Sequence, residues 1–147
     1  LDNKGVVASY GSLENYGSGK FLDEYVDLEP TKEGYYLLTR SGKIETFGDA
    51  MSYGDLEYSN AIDLELSQDG YYILEEDGKL NFFGDAEDHG FEEYDESSIT
   101  DMEVLTSGEG YYILDNHGNT YTYDATSGIA GPEFSQKAKY IDLELVY

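Results

Sequence analysis

Three segments of this chain run continuously apolar after a glycine: Gly34-Tyr35-Tyr36-Leu37-Leu38, Gly70-Tyr71-Tyr72-Ile73-Leu74 and Gly110-Tyr111-Tyr112-Ile113-Leu114. Short runs of this kind, bounded by glycine and rich in aromatic and aliphatic side chains, predict strands buried on both faces. Ahead of two of them the pattern alternates instead. Val26-Asp27-Leu28-Glu29 and Ile62-Asp63-Leu64-Glu65-Leu66 set apolar against acidic residues with period two, which predicts a first strand. Behind each apolar run stands a dipeptide ending in glycine, at Ser41-Gly42, Asp77-Gly78 and His117-Gly118, and Lys4-Gly5 has the same form near the start. Glycine there supplies the positive φ of a tight hairpin turn, so a third strand follows. Gly48-Asp49-Ala50 and Gly84-Asp85-Ala86 mark a second turn, leading to a weaker fourth strand near Tyr53–Tyr58 and His89–Tyr94. No window sustains the i, i+3, i+4 apolar spacing of a capped helix. The chain reads as all-β.

These elements recur as a unit. Gly34, Gly70 and Gly110 lie 36 and 40 residues apart, a period in the range of propeller blades. The first three copies are approximately residues 25–60, 61–100 and 101–139. A fourth is split between the ends, approximately 1–24 plus 140–147. With Gly5 set on Gly42, Tyr10 falls on Phe47 and Gly17 on Gly54, while Tyr140-Ile141-Asp142-Leu143-Glu144-Leu145 matches Ala61–Leu66. Leu1 then corresponds to Leu74, and about five positions of the fourth copy have no counterpart. The expected fold is therefore all-β and β-propeller-like, with four small antiparallel sheets in one domain spanning 1–147 and one unit divided between the termini.

Size and composition agree with a folded domain. At 147 residues the chain suits one core, and 39% hydrophobic with 15% aromatic residues is too apolar for a disordered acidic chain. Charge narrows the partners. With 32 acidic against 8 basic residues the formal net charge is -24, a surface that repels nucleic acid and anionic lipid, and neither is expected as a partner. Such self-repulsion eases where salt screens it or cations bind between carboxylates, so a saline or calcium-containing setting fits. There is no cysteine from which to read a redox compartment. No apolar run is long enough for a membrane span, and none has the form of a signal peptide, although Leu1 opens inside a repeat, as a mature or excised piece would.

The order VDL-x-P-T-x-x-G-YY-L-L-T-x-x-G-x-I-x-x-FGDA-x-x-x-G resembles the propeller-like repeats of secreted and cell-wall-associated bacterial proteins, which read GYW, an aliphatic pair, DGG, then an aromatic beside FGDA. The resemblance covers nearly the whole chain. This sequence departs from it with Tyr36, Tyr72 and Tyr112 in place of Trp, with Asp124-Ala125-Thr126 in place of Gly-Asp-Ala, and in its acidity. The resemblance implies an extracellular or cell-surface scaffold or binding role and assigns no catalytic residues. A ring closed by one unit built from both ends has no open edges. Exchange of terminal strands between chains is the other geometry, giving a larger ring, a homo-oligomer or a filament.

Three features are candidates for chemistry. Asp27, Asp63, Glu103 and Asp142 fall at one position of the first strand in this alignment, with Glu29, Glu65 and Glu144 two residues on. In a propeller that strand lines the channel, so these acids can form an oxygen ring for Ca²⁺ or Na⁺, or else face solvent or bond backbone and keep neighbouring units in register. Asp49 and Asp85 follow glycine and are explained by capping of their own turns. His89, in a stretch some four residues longer than its counterparts, stands among Asp85, Glu87, Asp88, Glu92 and Glu93; a metal ligand or general base and a solvated loop histidine are its two readings, and His117 sits in a turn. The repeated tyrosines are expected to pack between units with hydroxyls on water or backbone. Tyr16, Tyr53, Tyr58 and Tyr94 fall on the outer strand, where amphipathic rings suit sugar or protein contact. No phosphate loop, dinucleotide fingerprint or Ser-His-Asp order is present.

The functional expectation is a non-catalytic extracellular binding or structural scaffold, able to assemble through its terminal strands, with protein or carbohydrate as partner. The alternative is a cation-dependent carbohydrate-active or carbohydrate-binding protein using Asp/Glu pairs. Symmetry separates them, since an enzyme needs a carboxylate pair that differs from unit to unit.

Overall fold

The computed structural model describes residues 1–90, 99–105 and 107–123. Among these residues the chain is all-β, with nine strands in three antiparallel sheets. The first sheet is β1 (Tyr25–Pro30), β2 (Gly34–Thr39) and β3 (Ile44–Gly48). The second is β4 (Ala61–Leu66), β5 (Gly70–Glu75) and β6 (Leu80–Gly84). The third is β7 (Ile99–Val104), β8 (Tyr111–Asp115) and β9 (Thr120–Tyr123). In each the Gly-Tyr-Tyr strand is the central one and is buried along its whole length, as its uninterrupted apolar run requires. The hairpin glycines Gly42, Gly78 and Gly118 adopt φ of +86°, +84° and +88°, the left-handed turn conformation that β-carbons disfavour. No helix among the described residues is long and apolar enough to cross a membrane.

The first strand of every sheet carries a bulge at the same place. Register slips between Tyr25 and Asp27, between Ala61 and Asp63, and between Ile99 and Asp101. One extra residue turns the next side chain to the other face. Tyr25 and Leu28, three apart, therefore share a face with Leu37, as Ala61 and Leu64 do with Ile73 and Ile99 and Met102 with Ile113.

Two sequence expectations change here. Each described unit has three strands, for residues 51–60 form no strand and neither do His89 and Gly90, while residues 91–98 lie outside the described region. The Met51–Asn60 stretch spends its backbone on crossing between sheets: Leu56 N–H donates to Gly42 O at 2.9 Å and Ser59 N–H to Ser41 O at 3.3 Å. A left-handed Tyr58 (φ +62°) and Gly54 (φ +134°) also break the extended run. The third unit starts at Ile99 rather than Asp101, because β7 pairs Asp101 with Leu114 as β4 pairs Asp63 with Leu74. Setting the three Gly-Tyr-Tyr runs in register and counting back by the same offset concealed this. The longer third unit places two of its additional residues in the β7–β8 loop, between Val104 and Gly110.

The sheets pack face to face. Tyr36, Leu38 and Ile44 of the first sheet meet Ala61, Leu64, Tyr71 and Ile73 of the second, and Tyr72, Leu74 and Leu80 meet Ile99, Met102, Tyr111 and Ile113 of the third. Each fully buried side chain of this size contributes about 1.5–3 kcal/mol by leaving water. Edge-on ring pairs mark both seams, Tyr36 with Tyr71 at 5.5 Å and Tyr72 with Tyr111 at 5.8 Å between centroids.

The N-terminal segment packs against the opposite face of the first sheet in the same manner. Asp2 N–H donates to Val6 O and Gly5 N–H to Asp2 O, both at 3.0 Å, repeating the turn that Thr39, Gly42 and Lys43 make. Val7 joins Tyr25, Tyr35, Leu37, Leu28 and Phe47. Residues 124–147, which include the back half of the expected split unit and Asp124-Ala125-Thr126, lie outside the described region.

Candidate functional site

The acidic residues of the first strands lie along the seam between sheets. Once the bulges set the register, they form two layers: Asp27, Asp63 and Asp101 face Leu38, Leu74 and Leu114 on the central strands, and Glu29, Glu65 and Glu103 face Tyr36, Tyr72 and Tyr112. Glu103 thus belongs with Glu29 and Glu65. The alignment that grouped it with Asp27 and Asp63 was two residues out of phase, and Asp142 and Glu144 lie outside the described residues.

The aspartates link neighbouring sheets. Asp27 Oδ2 accepts from Leu64 N–H at 3.0 Å, and Asp63 Oδ2 accepts from Met102 N–H at 2.8 Å. Asp27 uses its other oxygen locally, accepting from Leu28 N–H at 2.7 Å. Glu65 Oε2 lies 3.5 Å from Val104 N, at the outer limit of a hydrogen bond. The contacts to Leu64, Met102 and Val104 each join a carboxylate on one first strand to the backbone of the next, which is the register-keeping role among the alternatives read from sequence.

Two of these carboxyls, Asp63 and Glu65, have their proton affinity raised by burial and by neighbouring acids. Burial, the largest effect, pushes the Asp63 carboxyl well above the ordinary aspartate range; Asp101, Asp27 and Glu65 push in the same direction, and the Met102 N–H opposes them. Glu65 is pushed up to about 9 by burial first, then by Glu29 and Glu103, with the Val104 N–H pulling the other way. Glu65 therefore holds its proton near neutrality, which relieves part of the repulsion that the seam would otherwise contain.

Glu29, Glu65 and Glu103 also line a groove of about 310 Å³ with Gln68, Leu105 and Gly108. Among the described residues no three His, Asp or Glu side chains are arranged to hold a metal ion.

The remaining candidates have structural partners. Asp49 was expected to cap its own turn, but its carboxylate reaches across to the β1–β2 turn, accepting from the Thr31 hydroxyl and, at 3.2 Å, from Glu33 N–H. Asp85 repeats this with Ser67 Oγ at 2.6 Å and Asp69 N–H at 2.9 Å. His89 is in aromatic packing, edge-on to Tyr111 at 5.8 Å with Nε2 3.1 Å from Gly108 O. It holds the place that Tyr16 has against Tyr35 and Tyr53 has against Tyr71. His117 remains in its turn, its N–H donating to Asp115 Oδ1 at 2.9 Å.

The tyrosine hydroxyls bond to backbone, as expected. Tyr35, Tyr71 and Tyr111 donate to Gly17 O, Gly54 O and Gly90 O. Tyr36 bonds both N–H and O of Met51 at 3.0 and 2.9 Å, and Tyr72 bonds those of Glu87 at 3.2 and 3.3 Å.

Sequence reasoning missed Asp115. Although it is nearly fully buried, it accepts from His117 N–H, Asn119 N–H, Asn119 Nδ2 and Tyr121 OH. Burial works to raise its pKa, but these donors outweigh it and the carboxyl sits below the ordinary range. The two asparagines flanking His117-Gly118 were the available signal. No family model, curated protein or solved structure matches this chain.

Proposed function

We propose that the chain is a non-catalytic binding and structural module of propeller-like architecture, four units with one divided between the termini, acting outside the cell or at its surface. The observation that carries this reading is the symmetric use of its acids: Asp27 and Asp63, at equivalent positions, both fasten the next sheet through a backbone N–H. Acid–base catalysis instead needs a carboxylate pair that differs between units and converges on one cleft. Net charge of -24 supports a saline setting and disfavours nucleic acid and anionic membranes as partners. The test is incubation of the chain with a panel of surface glycans and polysaccharides, reading bound ligand and released reducing ends. Binding without turnover supports the module, and turnover sinks it.

A second reading has one observation of its own. Glu65 holds its proton while Glu29 and Glu103 share its groove, the combination of acid and carboxylate that glycoside hydrolysis uses. Under that reading Glu65→Gln abolishes reducing-end release, and added Ca²⁺ tightens carbohydrate binding.

A further inference from the structure

Strand β4 is the middle one of the three first strands, and acids approach it from both neighbours. On one side Leu64 N–H donates to Asp27 of β1, and on the other Asp63 accepts from Met102 N–H of β7. Facing Asp63 are Asp27 on β1, Asp101 on β7 and Glu65 on its own strand, while its cross-strand neighbour on β5 is the uncharged Leu74. Facing Glu65 are Asp27 and Glu29 on β1 and Glu103 on β7, and its neighbour on β5 is Tyr72, whose hydroxyl is tied to the Glu87 backbone. The charges gathered at this seam are of one sign. The ion pairs among the described residues lie elsewhere, Arg40 with Glu24, Lys43 with Asp55 and Glu57, and Lys79 with Glu75.

Like charges shut off from water are held apart or neutralised by protons, and here the side chains that would repel are the ones that join the strands. Asp63 is only 8% exposed and holds β7 through an oxygen 2.8 Å from Met102 N. Glu65 reaches the same strand at Val104 N–H, 3.5 Å away, and opens on the groove it shares with Glu29 and Glu103, a path by which its proton can leave. Burial and these neighbours raise both carboxyls, Glu65 to about 9. Around them the seam is apolar, with Tyr72, Leu74 and Leu80 against Ile99, Met102 and Val104. The seam between the first and second sheets holds a tie that no proton controls, since Ala61 N–H donates to Arg40 O at 2.9 Å.

We propose that the seam between the second and third sheets is a proton-operated latch, shut while the Asp63 and Glu65 carboxyls are neutral and parting β4 from β7 as they ionise, with each sheet still folded. Ionisation sets Asp63 against Asp101 and Glu65 against Glu103 across the gap, and both pairs relax by separation and by water entering from the groove. Within each sheet the strands are joined by antiparallel backbone pairing, which these protons do not touch. Parting uncovers Leu74 and Met102, both fully buried while the latch is shut, so the chain presents in alkali an apolar surface that it hides near neutrality.

The latch does not depend on whether the chain binds a glycan or cleaves it. Hydrogen exchange on the 147-residue chain, read by NMR as protection factors so that the intrinsic effect of pH is divided out, compares the Met102 amide with that of Ile73 in the central strand β5. Between about pH 6 and about pH 9 the Met102 protection is expected to fall roughly tenfold or more while that of Ile73 holds. Glu65→Gln keeps the shape of the protonated side chain and cannot ionise. It should match the parent chain at the lower pH and retain most of the Met102 protection at the higher, and Asp63→Asn should do the same. Met102 protection that does not change with pH in the parent chain overturns the proposal. So does a fall that Ile73 shares in equal measure, which is unfolding of the whole chain rather than release of one seam, and so does a fall that both variants reproduce in full.

Discussion

The carboxylate of Asp63 accepts the backbone N–H of Met102 at 2.8 Å across the seam between the second and third sheets. This one contact joins the two themes of the molecule, its repetition and its acidity, because the same contact recurs from Asp27 to Leu64. It separates two roles of the side chain, accepting a hydrogen bond and carrying a charge, which substitutions can take apart. Asp63→Ala leaves the Met102 N–H without its acceptor in a buried site and is expected to cost about 1–3 kcal/mol in urea unfolding at pH 7. Asp63→Asn keeps an acceptor and removes a carboxyl facing Asp101, Asp27 and Glu65, so it should equal or exceed the parent chain in stability. An Asn variant as damaged as the Ala variant would show that the charge itself is needed.

The seam also sets a direction for pH. Glu65 has an ordinary value of 4.5 and is raised to about 9 in the fold, so the folded state binds this proton more tightly than the unfolded chain. Stability from that proton is complete below about pH 4.5 and is lost as pH rises toward 9. Asp23 and Asp115 are shifted down, and their contribution is present above the ordinary aspartate value and lost in acid. Together they place the stability maximum at mildly acidic pH. Thermal melts between pH 5 and pH 9 should show Tm falling with pH, and Glu65→Gln should flatten the slope. A Tm that climbs through this range would contradict the assignment.

The glycine before each of the first two tyrosine pairs is fixed by space rather than by φ. A β-carbon on Gly34 would stand 2.0 Å from Phe47 O, and one on Gly70 2.1 Å from Phe83 O, where only backbone could yield. Gly34→Ala or Gly70→Ala should therefore cost about 3 kcal/mol or more, at the upper end for overpacked sites, read as a lower urea midpoint. Gly11→Ala serves as the control. A β-carbon there meets nothing within 4 Å, and only its φ of +71° opposes the change.

Tyr71 is fully buried, donates to Gly54 O and accepts from Tyr53 N–H at 3.1 Å. Removing the hydroxyl alone, as Tyr71→Phe, leaves a carbonyl and an N–H without their partner and is expected to destabilise by about 1–3 kcal/mol. Tyr35→Phe should cost less, because Tyr16, which packs on it, is itself partly open to water. Equal losses in the two variants would mean that the hydroxyls matter independently of burial.

Sequence alone determined the three Gly-Tyr-Tyr strands, the hairpin glycines behind them and the kinship of the N-terminal segment with the later units. Each of these is a local matter: an apolar run that must be buried, a turn that needs positive φ, a spacing that survives permutation. The number of strands per unit was not legible, since the Tyr53–Tyr58 stretch has strand-like composition and loses its extended run to a left-handed Tyr58 and to bonds with the Ser41-Gly42 turn. Nor was the layering of the acids, because the bulge in each first strand shifts faces without leaving a mark in the hydrophobic pattern, and the third unit is two residues out of phase with its Gly-Tyr-Tyr run. His89 and Asp49 were read from their chain neighbours and took partners from other elements. Tertiary structure decided these points for one physical reason. Which carboxylate faces which backbone N–H depends on how sheets stack, and stacking joins residues nearly forty positions apart, Asp63 and Met102 among them.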